Sequence, residues 1–211
     1  VGNRYWPTAK AEQPLFDKPP VKAIVIACNT ATAYGLEDIR AAMDRWKLPV
    51  PVIGVVEAGA DSVVERLPRE GEPEAVAVLA TVGTCGSKAY PRAISRAAGQ
   101  AGRRLPDVWQ QGSVGLAGAI EGNPAYVRGN SVSGTESVPY LGPTVANEAA
   151  RIDPSLVEAY AFEPAGLAGD PNKPESWQIV SVSNYVRYDV TTMVENYRRS
   201  GASKPIRYVV L

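Results

Sequence analysis

A chain of 211 residues can bury a sizeable core and suits one large or two small domains. Lys plus Arg equal Asp plus Glu at 22 each, so neither the basic footprint of a nucleic-acid binder nor the cationic helix of a membrane-surface protein is expected, and the partner is read as a small molecule. Two cysteines without metal-ligand spacing do not make a disulfide framework, and the lack of histidine removes the commonest general base, the Ser-His and Cys-His dyads and the usual zinc sites.

No apolar stretch reaches the ~18 residues of a spanning helix, and no charged region followed by an apolar run opens the chain. The expected compartment is the reducing cytoplasm. The segment Trp6-Pro7-Thr8 reads as a loop. Residues 22–27 then form a short apolar β-type run that delivers Cys28 onto the first turn of a helix, marked by Leu36, Ile39, Met43 and Trp46 at helical spacing. Helix N-termini carry unpaired N–H groups and a positive dipole end, the setting in which a thiol becomes a thiolate. Asn29 and Thr30 beside it supply hydrogen-bonding groups for a polar ligand.

A second strand is expected over 50–56, followed by a helix with Ala60, Val63, Val64 and Leu67 on one face. Glu57 at its start is read as capping that helix rather than as chemistry. The third strand covers 75–81 and runs into a loop over 81–87, with a helix beginning near Ser87 and carrying Tyr90, Ile94, Ala97 and Ala101. This βαβαβα order predicts an α/β fold, a parallel sheet flanked by helices, with ligands beyond the carboxyl ends of the strands, where Cys28, Glu57 and 81–87 fall. The 81–87 loop gathers N–H and hydroxyl donors suited to a carboxylate or phosphate. It lacks the Lys of a Walker loop and the spacing of a dinucleotide fingerprint, which favours a small carboxylate. Thr81 and Thr84 are ligand contacts or ordinary turn residues, and Cys85 is exposed or merely packed; the residues leave both pairs open.

From 123 to 177 the character changes: 12 of 55 residues are Gly or Pro, so irregular backbone is expected, with short helical patterns only around 144–151 and 155–160. Order returns at Ser181. Tyr185, Val186, Val190, Met193, Val194 and Tyr197 make one apolar helix face, Gly201 stops it, and 206–211 is another buried strand. Three regions follow: 1–122, an α/β domain carrying Cys28; 123–180, an insertion or lid; and 181–211, the start of a second α/β half. A parallel strand with no turn after it leads to the expectation that the chain is a fragment.

These residues resemble the glutamate racemases of the aspartate/glutamate racemase family. Cys28-Asn29-Thr30-Ala31 looks like that family's first catalytic motif, the stretch from Pro51 through Gly54 and Glu57 to Ala60 looks like the strand and helix start after it, and the stretch from Thr81 through Thr84 and Ser87 to Tyr90 is similar to its substrate-binding loop. Val1-Gly2-Asn3 through Pro7-Thr8 looks like a diverged early loop, in which Thr8-Ala9 stand where a Tyr-Gly pair usually follows the proline. Trp109-Gln110-Gln111 and 207–211 also fit. The family's opening Asp-Ser-Gly segment would precede Val1, and its second catalytic cysteine, in a Gly-Cys-Thr-His motif, would follow Leu211.

The resemblance implies cofactor-independent racemisation of glutamate by two thiols, supplying D-glutamate for peptidoglycan. Cys28 would be one thiol, with Pro7, Thr8, Asn29, Thr30, Thr81 and Thr84 as substrate contacts, no metal and no cofactor. These 211 residues alone are expected to be inactive. A homodimer is compatible with this reading. Aspartate is the competing substrate; a non-catalytic carboxylate or amino-acid binding module is the competing class; and a third reading pairs Cys28 with Cys85, both taken to follow strands of one sheet.

Overall fold

The structure, a computed structural model, describes residues 4–17, 19–72, 74–127, 138–170 and 172–211. Val1-Gly2-Asn3, and 128–137 and Pro171 within the expected insertion, lie outside the described residues. The chain forms two compact units, Val1–Gly59 and Ala60–Leu211.

The first unit is a small β-α-β element. Strand β1 (Ile24–Ile26) pairs in parallel with β2 (Val52–Gly54), and helix α1 (Asn29–Arg45) makes the crossover between them. Leu36 and Met43 of α1 bury against Val52, with Ile24, Ile26, Leu48 and Val50 packed around them. Gly54 is required at this contact, because a Cβ there would come within 3 Å of the Thr32 and Leu36 side chains. The helix α2 (Val55–Arg66) begins immediately after β2, so Val55 and Val56 are its first turn and not the end of the strand expected over 50–56. Their β-branched character suits a strand, but the next helical turn already buries Val56 and Ala60 together.

The second unit is built on β3 (Ala75–Thr81), whose residues 75–78 are fully buried. This explains an all-apolar strand without alternation. Three elements come next: α3 (Val82–Ser87), α4 (Ala89–Gln100) and β4 (Asp107–Ser113). Then follow α5 (Leu116–Ile120), α6 (Val157–Tyr160), the short antiparallel pair β5 (Leu167–Ala168) and β6 (Gln178–Ile179), α7 (Val182–Arg199) and β7 (Ile206–Val210). β3 is central, parallel to β4 on one side and to β7 on the other. Thus β1 and β3 belong to different ladders, which corrects the expectation that Cys28 and Cys85 follow strands of one sheet.

Ala77 and Leu79 pack on Met193 of α7. A separate cluster joins Ile152, Tyr160, Trp177 and Ile179 to Ala119 of α5 and to Tyr185 and Tyr188 of α7, so the Gly/Pro-rich region shares an aromatic core with α5 and α7. Tyr160 and Phe162 stack within it, their centroids 4.8 Å apart. The pattern at 144–151 is a turn closed by a Thr144–Arg151 bridge rather than a helix, whereas 155–160 does hold helical turns. On α7, Val186 and Val190 are exposed, and Asn184, Tyr188 and Asp189 are buried in their stead. Among the described residues no helix is long and apolar enough to cross a membrane.

Candidate functional site

In the first unit, Cys28 is the N-cap of α1: its backbone is extended (φ −91°, ψ 125°) and its Sγ accepts the Ala31 N–H at 3.4 Å. The side chain is exposed. The Cys28 carbonyl accepts from Thr32 N at 2.9 Å, and the Thr32 hydroxyl turns back to the Ile26 carbonyl at 3.1 Å, tying the helix start to the end of β1. Asn29 and Thr30 follow in the first turn, both half-buried. The expected position of the thiol is therefore observed: a strand ends, a helix begins, and sulfur stands at the junction. Pro7 and Thr8 are exposed in a loop closed by paired hydrogen bonds between Tyr5 and Leu15, of 3.0 and 2.8 Å.

Glu57 does lie in the first turn of α2, as a capping acid would. Its carboxylate also meets the Arg40 guanidinium twice, at 3.0 and 2.6 Å, while Arg40 donates to the Val52 carbonyl at 3.3 and 3.0 Å. These bonds to Glu57 hold the Arg40 pKa above its ordinary value. Arg40 thus ties α1 to the β2–α2 junction, a role that its single charge on a helical stretch does not announce.

In the second unit, Thr81 is the N-cap of α3, and its Oγ1 accepts from Thr84 N at 3.2 Å. The two threonine hydroxyls are 3.0 Å apart, Thr81 exposed and Thr84 wholly buried. The 81–87 segment expected as a loop is a six-residue helix, ended by Lys88 in the left-handed conformation (φ 57°) before α4 starts at Ala89. Gly83 and Gly86 suggest an open loop, yet the Thr81 cap and the Ser87 hydroxyl, which donates to the Thr84 carbonyl at 2.6 Å, close the turns. Cys85 is buried, with its Sγ 4.0 Å from the Ala80 carbonyl, and burial pushes its thiol pKa up. That setting favours the neutral thiol.

Sequence reasoning missed Ser113 and Asp189. The Ser113 hydroxyl donates to Asp189 Oδ2 at 2.6 Å, both residues are buried, and burial raises the Asp189 pKa to about 6 against the opposing pull of the Ser113 hydrogen bond. The only available signal was an acid at a core-facing position of the α7 pattern.

What the fold and these junctions define is an α/β protein with parallel strands and a helix-capping thiol. The chain belongs to the Asp/Glu/Hydantoin racemase family, whose model matches residues 6–131, more than half of its length. It is similar to a glutamate racemase of Lysinibacillus sphaericus, 44% identical over 94 residues that cover 44% of this chain and 31% of that one. Against a glutamate racemase of Limosilactobacillus fermentum it is 37% identical over 110 residues, 49% of this chain and 38% of the other. The chain thus spans roughly a third of the length of these curated relatives. Among solved structures, glutamate racemase isoform RacE1 from Bacillus anthracis aligns over 91% of this chain and 75% of its own, at 19% identity and a TM-score of 0.40.

Proposed function

We propose that this chain carries part of a cofactor-independent glutamate racemase, with Cys28 as one of two acid/base groups. Inverting the α-carbon passes through a planar carbanion: one group removes the α-proton and another returns a proton to the opposite face. As thiolate, Cys28 would take the proton of one enantiomer; as thiol, it would supply the proton for the other. By the family resemblance Pro7, Thr8, Asn29, Thr30, Thr81 and Thr84 would be substrate contacts, and hydrogen bonds to the α-carboxylate would carry the charge that develops on it. On this reading, residues 1–122 form the racemase-like part, 123–180 an insertion, and 181–211 the opening of a second α/β half.

The observation that carries the proposal is the exposed Cys28 Sγ at the N-cap of α1, directly after a parallel strand, in a chain of the racemase family. Uptake of solvent deuterium at the α-carbon of L- and D-glutamate tests it. A chain extended at both ends to the length of its curated relatives should exchange and racemise, and its Cys28→Ser form should do neither. Full activity in that variant ends the proposal.

One observation favours a second reading for the 211 residues by themselves, that of an amino-acid or carboxylate binding module. The other cysteine, Cys85, is buried and biased to the neutral thiol. A binding module would hold glutamate with unchanged affinity after Cys28→Ser and would show no deuterium uptake.

A further inference from the structure

Helix α7 lays one stripe of side chains along β4. The Tyr185 hydroxyl donates to the Val114 carbonyl at 2.6 Å, Asp189 Oδ2 accepts from Ser113 at 2.6 Å, Asn196 Nδ2 donates to Gln111 Oε1 at 3.0 Å, and Tyr197 meets Trp109 edge-on at 5.7 Å. Residue numbers rise along the helix as they fall along the strand, so the two run antiparallel. Three of these contacts are ordinary polar or aromatic packing. Asp189 is different: it is 2% exposed, and among the described residues no cation pairs with it. A carboxylate in that place costs stability that an aliphatic side chain would not.

What Asp189 holds lies at a particular edge. Ser113 is the last residue of β4 and the direct ladder neighbour of Thr81, the last residue of β3. Its Oγ also accepts the Leu116 N–H at 3.4 Å, so one hydroxyl donates to Asp189 and receives the first turn of α5. Just before it, a Cβ on Gly112 would stand 3.1 Å from the Val82 Cα, so the end of β4 lies against the first turn of α3. Just after it, Gly115 takes φ +96°, and a side chain there would strike the Tyr185 hydroxyl and the Tyr126 ring. The turn beyond β4 is thus gripped by α7 from two consecutive helical turns, and its other side borders Thr81 and Val82.

We propose that Asp189 is a positioning residue: by holding Ser113 it fixes the carboxyl end of β4, and with it Thr81 and the first turn of α3, where the substrate carboxylate is read to bind. The naming of the ligand rests on the racemase reading; the positioning does not. Asparagine can accept the same hydrogen bond from Ser113, whereas alanine cannot, so the two variants separate the bond from the bulk of the side chain.

The test is amide hydrogen exchange on the 211-residue chain, comparing wild type, Asp189→Ala and Asp189→Asn at pH 7.5, together with glutamate titration of each. In Asp189→Ala, exchange at residues 82–84 and 115–116 should rise about tenfold or more relative to residues 76–79 of β3; in Asp189→Asn, that ratio should stay within about threefold of wild type. Should the alanine variant fail to fold, Asp189→Leu fills the space without accepting the bond and carries the same comparison. An equal rise at 76–79, no rise at 82–84, or an asparagine variant as loose as the alanine one overturns the proposal. So does glutamate binding that the alanine variant leaves at full strength. If wild type binds no glutamate while the exchange pattern appears as expected, the 211 residues do not make a glutamate site by themselves, the positioning role of Asp189 stands, and the racemase reading is decided separately by deuterium uptake in the extended chain.

Discussion

The junctions after β1 and β3 are built alike and furnished differently. At each, the last extended residue caps the following helix with its side chain, accepting the N–H three positions on: Cys28 from Ala31 at 3.4 Å, Thr81 from Thr84 at 3.2 Å. A lysine in the left-handed region then follows each helix, Lys47 at φ 54° just beyond the Trp46 cap of α1 and Lys88 at φ 57° as the cap of α3, each with its N–H returning to the carbonyl three residues back. The difference is the capping atom. Hydroxyl oxygen is a good acceptor and a favoured N-cap, whereas sulfur is a weak one. An exposed sulfur stands where serine or threonine would stabilise the helix better, whereas Thr81 caps α3 with the better acceptor.

Replacing Cys28 by serine breaks this comparison most sharply, because it should move two quantities in opposite directions. In a chain extended to the length of its curated relatives, α-proton exchange of glutamate is expected, on the racemase proposal, to fall by roughly a thousandfold or more, since a serine hydroxyl has no comparable acidity. Helix α1 should become more stable, by about 0.5 kcal/mol, as oxygen replaces sulfur at the cap. Deuterium uptake followed by mass spectrometry and thermal unfolding of the same samples check both. Loss of stability together with loss of exchange would mean that the thiol is structural.

These junctions were legible because they depend on local chemistry: an apolar run, a polar or thiol residue, then helical spacing. The Cys28 cap and the central β3 strand are of that kind. The α3 helix was not, since Gly83 and Gly86 lower helix propensity and only the Thr81 cap and the contacts of buried Thr84 offset them. β4 was hidden for a related reason: Trp109, Gln110, Gln111 and Gly112 have no apolar run, and the strand exists because β3 offers it seven paired residues. Glu57 looked like a helix cap in isolation, while its partner Arg40 comes from 17 positions earlier. Ser113 and Asp189 are separated by 76 residues, and nothing in the spacing of either announces the other.

Asp189 gives the next largest effect and sharpens the contrast, because it belongs to the second unit alone. Its pKa is raised to about 6 in the folded protein from an ordinary value near 3.8, so between these values the native state binds the extra proton. The contribution of Asp189 to stability should therefore be most favourable below pH ~4, decline as pH rises to ~6, and level off above, losing on the order of 3 kcal/mol in all. The groups facing this carboxylate are the Ser113 hydroxyl from the end of β4 and the phenols of Tyr185 and Tyr188 on α7, neither of which ionises in that range because burial raises both. Asp189→Asn should remove the slope, as urea unfolding from pH 4 to 8 would show; a slope that persists would assign it to another group. Thr81→Ala is smaller, about 1 kcal/mol through the lost cap, and Thr81→Ser should restore most of it.

The two left-handed lysines make the finest test of whether the junctions are truly equivalent. An L-residue at φ near +55° carries a steric penalty that glycine escapes, of roughly 1–2 kcal/mol, partly offset by the greater freedom glycine has when unfolded. Lys47→Gly and Lys88→Gly should thus each gain about 0.5 kcal/mol if nothing else holds the lysines there. Lys47 leads into the free end of α1, where Leu48 N–H closes the turn on the Met43 carbonyl at 3.0 Å, so the gain there should be realised in full. Lys88 instead stands between α3 and α4, ending one helix and preceding the other, and Arg92 N–H bonds its carbonyl at 3.2 Å. Extra backbone freedom at that hinge should loosen the first turn of α3, which Thr81 caps, even as it relieves the strain. Equal melting-temperature gains for the two variants, with exchange at 82–84 unchanged in Lys88→Gly, would show that the hinge is no more constrained than a helix end.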